Sequence, residues 1–376
     1  MLLTIAVFAI ALLILVLSHE FGHFIMAKKF GVKVLEFGFG IPPRIWGKKW
    51  GGTLVSLNFL PVGGFVRLLG EDEADKKVLQ DKGSFAVKPV WQRIIMVAAG
   101  VAMNLLLAVV LFYIVLAAQG FKARLPLLIP FNFAGVTQVE ESAVLIASVN
   151  PNSPAQAAGI KAGDQVTAVD GATISESQQL SDITKQHLGE KITLVLSNEQ
   201  GEKKTVEVMP RQNPPEGEGP LGIGMSTVKV ANLSFETPSQ KLASGVVHSY
   251  NLTTYSVAVL GEIISSAIKA KDLEPVSGTV VGPFGLANLT REILKMDNPL
   301  IPYLSFVALL SLNLAIINIL PIPALDGGRI FFLVIEGIVG KRVKPNVERL
   351  IHAAGMVALL ALIILVTFSD IKKIFF

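Results

Sequence analysis

A metal-binding motif lies inside a strongly apolar stretch at the start of the chain, which points to a membrane protein. Residues 2–17 contain a single polar side chain, and Ser-His-Glu-Phe-Gly-His follows at 18–23. As a helix, this stretch is long enough to span a bilayer. His19 and His23 are four positions apart and project from one helical face, with Glu20 between them. Because ionisable residues in a spanning segment are costly and default to a function, we predict a metal site here.

The composition agrees with a multi-span α-helical membrane protein that carries an aqueous domain. Apolar residues make up 51% of the 376 residues, and charged residues only 16%. The chain has no cysteine, so a zinc ion would need His and Asp or Glu as ligands. The N-terminal segment lacks the basic region and small-residue cleavage site of a signal peptide, so we expect the first span to be retained.

Four segments are long and apolar enough to be transmembrane helices: 2–26, 94–118, 301–320 and 350–368. Residues 27–93 contain twelve Lys and Arg against six acidic residues, whereas 120–300 contains fourteen basic and eighteen acidic residues. The positive-inside rule therefore predicts that 27–93 is cytoplasmic and 120–300 extracytoplasmic. The predicted organisation is a first membrane region at 1–118 and a second at 301–376, with the aqueous domain between them.

Glycine pairs and alternating apolar residues at 34–70 predict a small cytoplasmic β-loop against the mouth of the helix bundle. Gly51-Gly52 and Gly63-Gly64 are typical of tight turns between short strands. A role in substrate handling and a plain cytoplasmic loop are both compatible with this pattern.

The second span places Gly100 and Asn104 on one helical face. Small residues allow helices to approach closely, and an asparagine in lipid needs a polar partner. We interpret Gly100 as a packing residue, whereas Asn104 could serve packing or face the metal cavity.

Residues 135–225 predict a separate α/β domain. The expected elements are a strand at 143–149, a short helix after Pro151, a strand ending in Asp170-Gly171, a helix at 175–188 and a hairpin at 191–209. This order of elements resembles a PDZ domain, with Leu221–Gly224 as the last strand. PDZ domains bind extended peptides at a sheet edge. A spacer or size filter is the alternative reading.

Residues 239–271 have apolar side chains at helical spacing but also several polar ones. A fifth crossing would reverse the direction of the third span. Asp326, which follows that span, would then lie on the other side of the membrane from the position that the charge distribution predicts. We therefore predict an amphipathic helix at the outer surface.

The third span ends in a broken motif that offers the missing metal ligand. Pro321 and Pro323 interrupt the helix, and irregular backbone at membrane depth is tolerated where it lines a cavity or packs in protein. Asp326 follows the break and precedes two glycines. In a chain without cysteine, a carboxylate is a suitable third ligand for a two-histidine catalytic zinc site.

These motifs together resemble the site-2 protease family of intramembrane zinc metalloproteases. The likeness rests on His19–His23 in the first span, on Asn313…Asn318-x-x-Pro-x-Pro-x-Leu-Asp-Gly-Gly, and on an inserted PDZ-like domain, and it covers nearly the whole chain. The resemblance implies a set of roles: Zn²⁺ ligands His19, His23 and Asp326, catalytic base Glu20, and substrate-binding residues Asn318, Asn313, Gly63 and Gly64. It also implies that 34–70 is a membrane-associated β-loop that presents an extended substrate strand. The segment at 280–285 matches the family too, without a role that we can derive.

The expected function is hydrolysis of peptide bonds within or next to the span of single-span membrane proteins, such as anti-sigma factors or signal-peptide remnants. A membrane zinc transporter and a catalytically inactive scaffold are the alternatives. Expected partners are the substrates, the lipid bilayer and a peptide ligand of the PDZ-like domain, with no nucleic acid. The expected location is a bacterial inner membrane, with the PDZ-like domain extracytoplasmic and the active site near the cytoplasmic face.

Overall fold

The structure is a computed structural model that describes residues 2–71, 78, 80–197, 203–270, 281–341, 343 and 345–375. The chain divides into two compact units. The membrane unit comprises Met1–Ala118 and Gly245–Phe376, and the inserted unit comprises Gln119–Ser244.

The elements follow one another in the order that the sequence predicts, with several additions. The helices are α1 (Leu2–Lys29), α2 (Val90–Ala118), α3 (Pro154–Ala157), α4 (Ser177–Gln186), α5 (Pro238–Ala270), α6 (Pro283–Leu294), α7 (Leu300–Ile319), α8 (Asp326–Val339) and α9 (Pro345–Phe375). The strands are β1 (Val34–Trp50), β2 (Thr53–Leu68), β3 (Lys122–Leu127), β4 (Thr137–Val149), β5 (Gln165–Val169), β6 (Ala172–Thr173), β7 (Ile192–Ser197), β8 (Lys203–Val208) and β9 (Ile223–Ser234).

Four helices of the described chain are long and apolar enough to cross a membrane, which confirms the predicted number of spans. They are Leu3–Lys29, Val90–Ala118, Leu300–Ile319 and Val347–Asp370, each within α1, α2, α7 or α9. The orientation of these helices stays a prediction.

The helices α1, α2 and α7 form the core of the membrane unit. Leu15 of α1 is fully buried in a cluster with Ala11 and Val307. The Tyr303 hydroxyl donates a hydrogen bond to the Val7 carbonyl at 2.9 Å and joins α7 to α1. At Gly22, a Cβ would lie 2.1 Å from the carbonyl oxygen of Ala99. Only glycine therefore allows α1 and α2 to cross this closely, within the metal-binding motif itself.

The break predicted between the third span and Asp326 is present. α7 ends at Ile319, α8 begins at Asp326, and Ala324 between them has a left-handed backbone with φ of 77°. At Gly327, a Cβ would lie 2.1 Å from the Leu320 carbonyl oxygen. The start of α8 is thus folded tightly back against the end of α7.

Strands β1 and β2 form a bent antiparallel hairpin within the predicted 34–70 region. The turn uses Gly51 and Gly52, both at positive φ. Phe37 pairs with Val55 in the first half of β2 and with Val66 in the second half. The beginning of β1 therefore lies between the two halves of β2.

The inserted unit contains a sheet of strand order β3-β9-β4-β5-β7-β8, with β6 paired to β5. Its core consists of aliphatic side chains from both the sheet and α4, among them Ile146, Leu180 and Leu194. The turn after β5 uses Asp170 and Gly171 at positive φ, as the Asp-Gly pair predicts. The loop of the predicted 191–209 hairpin, at 198–202, lies outside the described residues.

The compact unit is longer than the predicted domain, whose bounds stay a prediction. The unit extends over Gln119–Ser244, whereas the predicted domain is 135–225. Strand β3 was not predicted, and the expected last strand at Leu221–Gly224 is instead the longer β9, which pairs with both β3 and β4. A PDZ identity of this unit stays a prediction.

Helix α5 occupies nearly the whole predicted range 239–271, and several of its polar residues are buried. His248 and Asn251 are buried, while Leu242 and Ile268 are among the exposed apolar residues. At Gly245, a Cβ would lie 2.4 Å from the carbonyl oxygen of Val109 on α2. The side chains of His248 and Asn251 are thus buried within the protein. The placement of α5 at an outer membrane surface stays a prediction.

Candidate metal centre

The structure brings together the three side chains that the two sequence motifs supply. His19 Nε2 lies 3.0 Å from Asp326 Oδ2, and His23 Nε2 lies 3.3 Å from the same oxygen. The two imidazole Nε2 atoms are 3.2 Å apart. Residues more than 300 positions apart in the chain therefore converge on one point between α1 and α8.

This arrangement fits a tetrahedral metal ion. Metal–ligand distances of about 2.0–2.1 Å separate the ligand atoms of a tetrahedral zinc ion by about 3.3 Å. The observed separations of 3.0, 3.2 and 3.3 Å are close to that value. Asp326 Oδ2 is buried without a hydrogen bond among the described residues, although it lies beside both imidazoles. A shared cation would satisfy this otherwise uncompensated oxygen.

Helix α2 supports the two histidines directly with its backbone. The His23 Nδ1–H group donates a hydrogen bond to the Met96 carbonyl at 2.9 Å, which leaves Nε2 as the free lone pair toward the centre. One turn later, a Cβ at Gly100 would lie 2.4 Å from His23 Nε2 and 2.8 Å from His19 Cε1. The sequence predicted packing for Gly100, but Met96 gave no sequence signal because its contribution is a carbonyl.

Helix α9 holds the loop that presents Asp326. The Ala324 backbone N–H donates a hydrogen bond to His352 Nδ1 at 2.9 Å. At Gly355, one turn further along α9, a Cβ would lie 2.5 Å from Pro323 Cβ. His352 therefore accepts a hydrogen bond from the loop before Asp326 and is not a fourth metal ligand. Nothing in the sequence around His352 predicts this contact.

Glu20 lines two cavities. One cavity, of about 170 Å³, is lined by Glu20, the three candidate ligands, residues 65, 66 and 68 of β2, and the ion pair between Glu71 and Arg329. The backbone of Val66 donates a hydrogen bond to the Glu20 carboxylate. This contact brings the second half of β2 next to the candidate catalytic base.

The second cavity, of about 270 Å³, shares part of its lining with the first. Its lining includes Glu20, His19, Asp326, Asn104 and Asn318. Of the predicted substrate-binding residues, only Asn318 lines either of these two cavities.

The other three predicted substrate-binding residues, Gly63, Gly64 and Asn313, line neither of the two cavities. A Cβ at Gly64 would lie 3.4 Å from Leu17 Cδ2, so this glycine packs against α1 just before the motif. Gly63 adopts a φ of 83° in open space, and Asn313 is half-buried on α7. Their role in substrate binding stays a prediction.

The apolar spans and the His-His-Asp triad beside a glutamate define the class of membrane-embedded metallopeptidases. The chain belongs to peptidase family M50, whose sequence model matches residues 7–362. The predicted resemblance to site-2 proteases is confirmed, and at the level of the family so are the metallopeptidase class and zinc as its metal.

Two curated relatives match over nearly their whole length. The chain is 32% identical over 360 residues to a putative zinc metalloprotease of Clostridium perfringens, covering 95% of each chain. It is 27% identical over 438 residues to the zinc metalloprotease RasP of Geobacillus kaustophilus, covering 96% of each chain. Among solved structures, the PDZ domain of an SdrC-like protein from Listeria innocua matches 22% of this chain and 92% of that chain, at 23% identity and a TM-score of 0.20.

Proposed function

We propose that this chain is an intramembrane zinc endopeptidase that hydrolyses peptide bonds within or next to the span of single-span membrane proteins. The observation that carries the proposal is the meeting of the His-Glu-x-x-His face of α1 with Asp326 of α8. The names of the two relatives, both zinc metalloproteases, support zinc as the metal.

His19, His23 and Asp326 would hold the ion, and three protein ligands leave a fourth position for water, as in catalytic zinc sites. Bound zinc supplies Lewis-acid activation of that water and of the scissile carbonyl. The hydrogen bond from His23 to the Met96 carbonyl fixes the ring orientation and the tautomer that presents Nε2.

Glu20 is the proposed general base and acid. It is adjacent to His19 in the chain and lines both cavities beside the candidate ligands. In this role its carboxylate takes a proton from the attacking water and then transfers the proton to the leaving amine. The hydrogen bond from Val66 orients the carboxylate before substrate arrives.

The second half of β2 is the proposed docking edge for substrate. It pairs with β1 on one side, while Phe65, Val66 and Leu68 line the cavity that contains Glu20. An extended peptide can bind a strand edge through main-chain hydrogen bonds. A helical substrate hides its peptide groups, so it must unwind locally before it docks here, and Asn318 would bind the unwound main chain.

The basic residues of 27–93 favour a cytoplasmic β-hairpin and an extracytoplasmic inserted unit in a bacterial inner membrane. Anti-sigma factors and signal-peptide remnants are suitable substrate classes because they are single-span chains. The inserted unit would restrict the enzyme to substrates whose outer domain has already been removed.

Removal of the inserted unit tests this restriction. The Phe235 N–H donates a hydrogen bond to the Phe121 carbonyl at 3.0 Å, so a short glycine-rich linker can join these residues in place of 122–234. The shortened enzyme should cleave an untrimmed substrate that the full chain leaves intact. Unchanged selectivity would contradict the filter role.

The experiment for the activity itself compares Glu20→Gln with the full chain, each co-expressed with candidate single-span substrates. Glu20→Gln should abolish cleavage while the purified protein retains zinc. Glu292→Gln is the matched control, because Glu292 is exposed on α6 and pairs with Lys295. Cleavage that survives Glu20→Gln would contradict the peptidase assignment, and zinc transport without any cleavage would favour a transporter.

A further inference from the structure

Asn104 is a buried polar residue whose side-chain oxygen has no hydrogen-bond partner among the described residues. Only 1% of the residue is exposed, and its Oδ1 atom makes no hydrogen bond among the residues that the structure describes. A buried carbonyl oxygen without a partner is costly, and such groups in folded proteins call for an explanation.

The position of Asn104 is fixed by its backbone. The Ser311 hydroxyl donates a hydrogen bond to the Asn104 carbonyl at 2.7 Å, which joins α7 to α2 at this point. Gly100, one turn earlier on the same face, packs against the two imidazoles. Helix geometry therefore places the Asn104 side chain next to the candidate metal centre.

The Asn104 side chain lines the second cavity together with Glu20, His19 and Asn318. This cavity has carboxamides from two different helices, α2 and α7, beside the candidate base. A carboxamide offers one acceptor and two donors, which matches the C=O and N–H groups of a peptide unit. Unwinding a substrate helix would leave such peptide groups without partners in a water-poor environment.

We propose that Asn104 is a substrate-binding residue that hydrogen-bonds the main chain of the unwound substrate segment next to the scissile bond. This inference rests on the proposed function. Asn104 and Asn318 approach the substrate from two helices, so that the reacting segment is held between them. Because the contact is made to the main chain, it is independent of the substrate sequence.

Asn104→Leu separates a binding role from a structural one. An apolar side chain of similar branching removes the unsatisfied oxygen, so thermal stability should be unchanged or higher. Cleavage efficiency should fall on the order of 10- to 100-fold, mainly through KM, because a main-chain contact is lost. Zinc content should match that of the unmodified chain. A structural amide would give the opposite pattern, with lower stability and unchanged KM.

Cross-linking provides a second measurement that needs no turnover. The chain has no cysteine, so Asn104→Cys in the Glu20→Gln background introduces a single thiol. A single-span substrate with one cysteine beside its cleavage position should form a disulfide with residue 104. Leu106→Cys is the matched control, because Leu106 is on the same helix and 54% exposed.

The outcomes distinguish this inference from the proposed function. If the unmodified chain cleaves substrate but Asn104→Leu retains the same KM and residue 104 cross-links no better than residue 106, this inference alone is wrong. If the unmodified chain cleaves no substrate and does not differ from Glu20→Gln, both are wrong.

Discussion

Replacing Gly100 by alanine should weaken metal binding and destabilise the protein, although alanine normally favours a helix. The new Cβ would lie 2.4 Å from His23 Nε2, and an ordinary contact needs at least 3.4 Å. The imidazole or α2 must therefore move by about 1 Å. The same methyl group would lie 2.8 Å from His19 Cε1, so both histidines are affected.

The magnitude follows from two opposing effects. Overpacking of this kind costs about 1–3 kcal/mol. The replacement of glycine by alanine inside a helix returns about 0.5–1 kcal/mol. The difference lies between about 0 and 2.5 kcal/mol, so we expect a net loss of about 1 kcal/mol in the free energy of unfolding. Displaced ligands should lower zinc affinity roughly 10- to 100-fold.

The assay combines thermal unfolding in detergent with zinc competition against a chelator. Gly261→Ala is the control, because Gly261 lies within α5 and a Cβ there meets nothing within 4 Å. This control should gain about 0.5–1 kcal/mol from helix propensity alone and leave zinc affinity unchanged. If Gly100→Ala gains stability in the same way and binds zinc as tightly as the unmodified chain, the packing of α2 on the histidines is refuted.

Substitutions at three further positions test contacts within the membrane unit. His352→Leu removes the acceptor of the Ala324 N–H and should lower zinc affinity roughly tenfold. His352→Asn keeps an acceptor at this position and should leave zinc affinity unchanged. Competition with a chelator measures the zinc affinity of both variants. Glu336→Gln removes the charge of the carboxylate that pairs with the buried Arg93 and should cost about 3 kcal/mol, measured as a lower unfolding temperature. Asp370→Ala removes the acceptor of the Gly285 N–H in the first turn of α6 and should cost about 1 kcal/mol by the same assay. An unchanged zinc affinity in His352→Leu, or unchanged unfolding temperatures in the other two, would contradict these contacts.

The meeting of α1 with Asp326 was predictable because each motif carries its own signal. Charged residues in apolar spans are rare, so His19, His23 and Asp326 stand out without any structure. Two prolines mark the helix break before Asp326, and the charge distribution predicts that both motifs lie at the same membrane face. In a chain without cysteine a carboxylate is a suitable third ligand, and few positions flanked by apolar residues offer one.

The supporting contacts were not predictable because they join distant residues through common chemical groups. The Met96 carbonyl looks like any other in the sequence, and His352 looks like an interfacial histidine. The segment at 280–285 had no derived role, but its described part docks on α9: Asp370 accepts a hydrogen bond from the Gly285 N–H at 2.8 Å. A Cβ at Gly282 would lie 2.8 Å from the same carboxylate, which explains a glycine there.

Helix α5 shows a second limit of structure prediction from the spacing of apolar residues. The spacing of its apolar residues correctly indicated one long helix, but an apolar stripe is normally taken as the buried side. Here Ser244 and His248 are buried and the apolar stripe is exposed. In a membrane protein the lipid-facing surface is apolar, so periodicity alone does not reveal which side packs against protein.

X-ray absorption at the zinc edge of the purified protein tests the central claim most directly. We expect one zinc per chain, with two imidazole nitrogens and carboxylate or water oxygens at about 2.0–2.1 Å. Asp326→Ala should weaken zinc binding and change the oxygen shell, while His187→Ala, in the inserted unit, should leave the spectrum unchanged. A spectrum without two imidazoles, or one that is identical in Asp326→Ala, would contradict a metal site shared by α1 and α8.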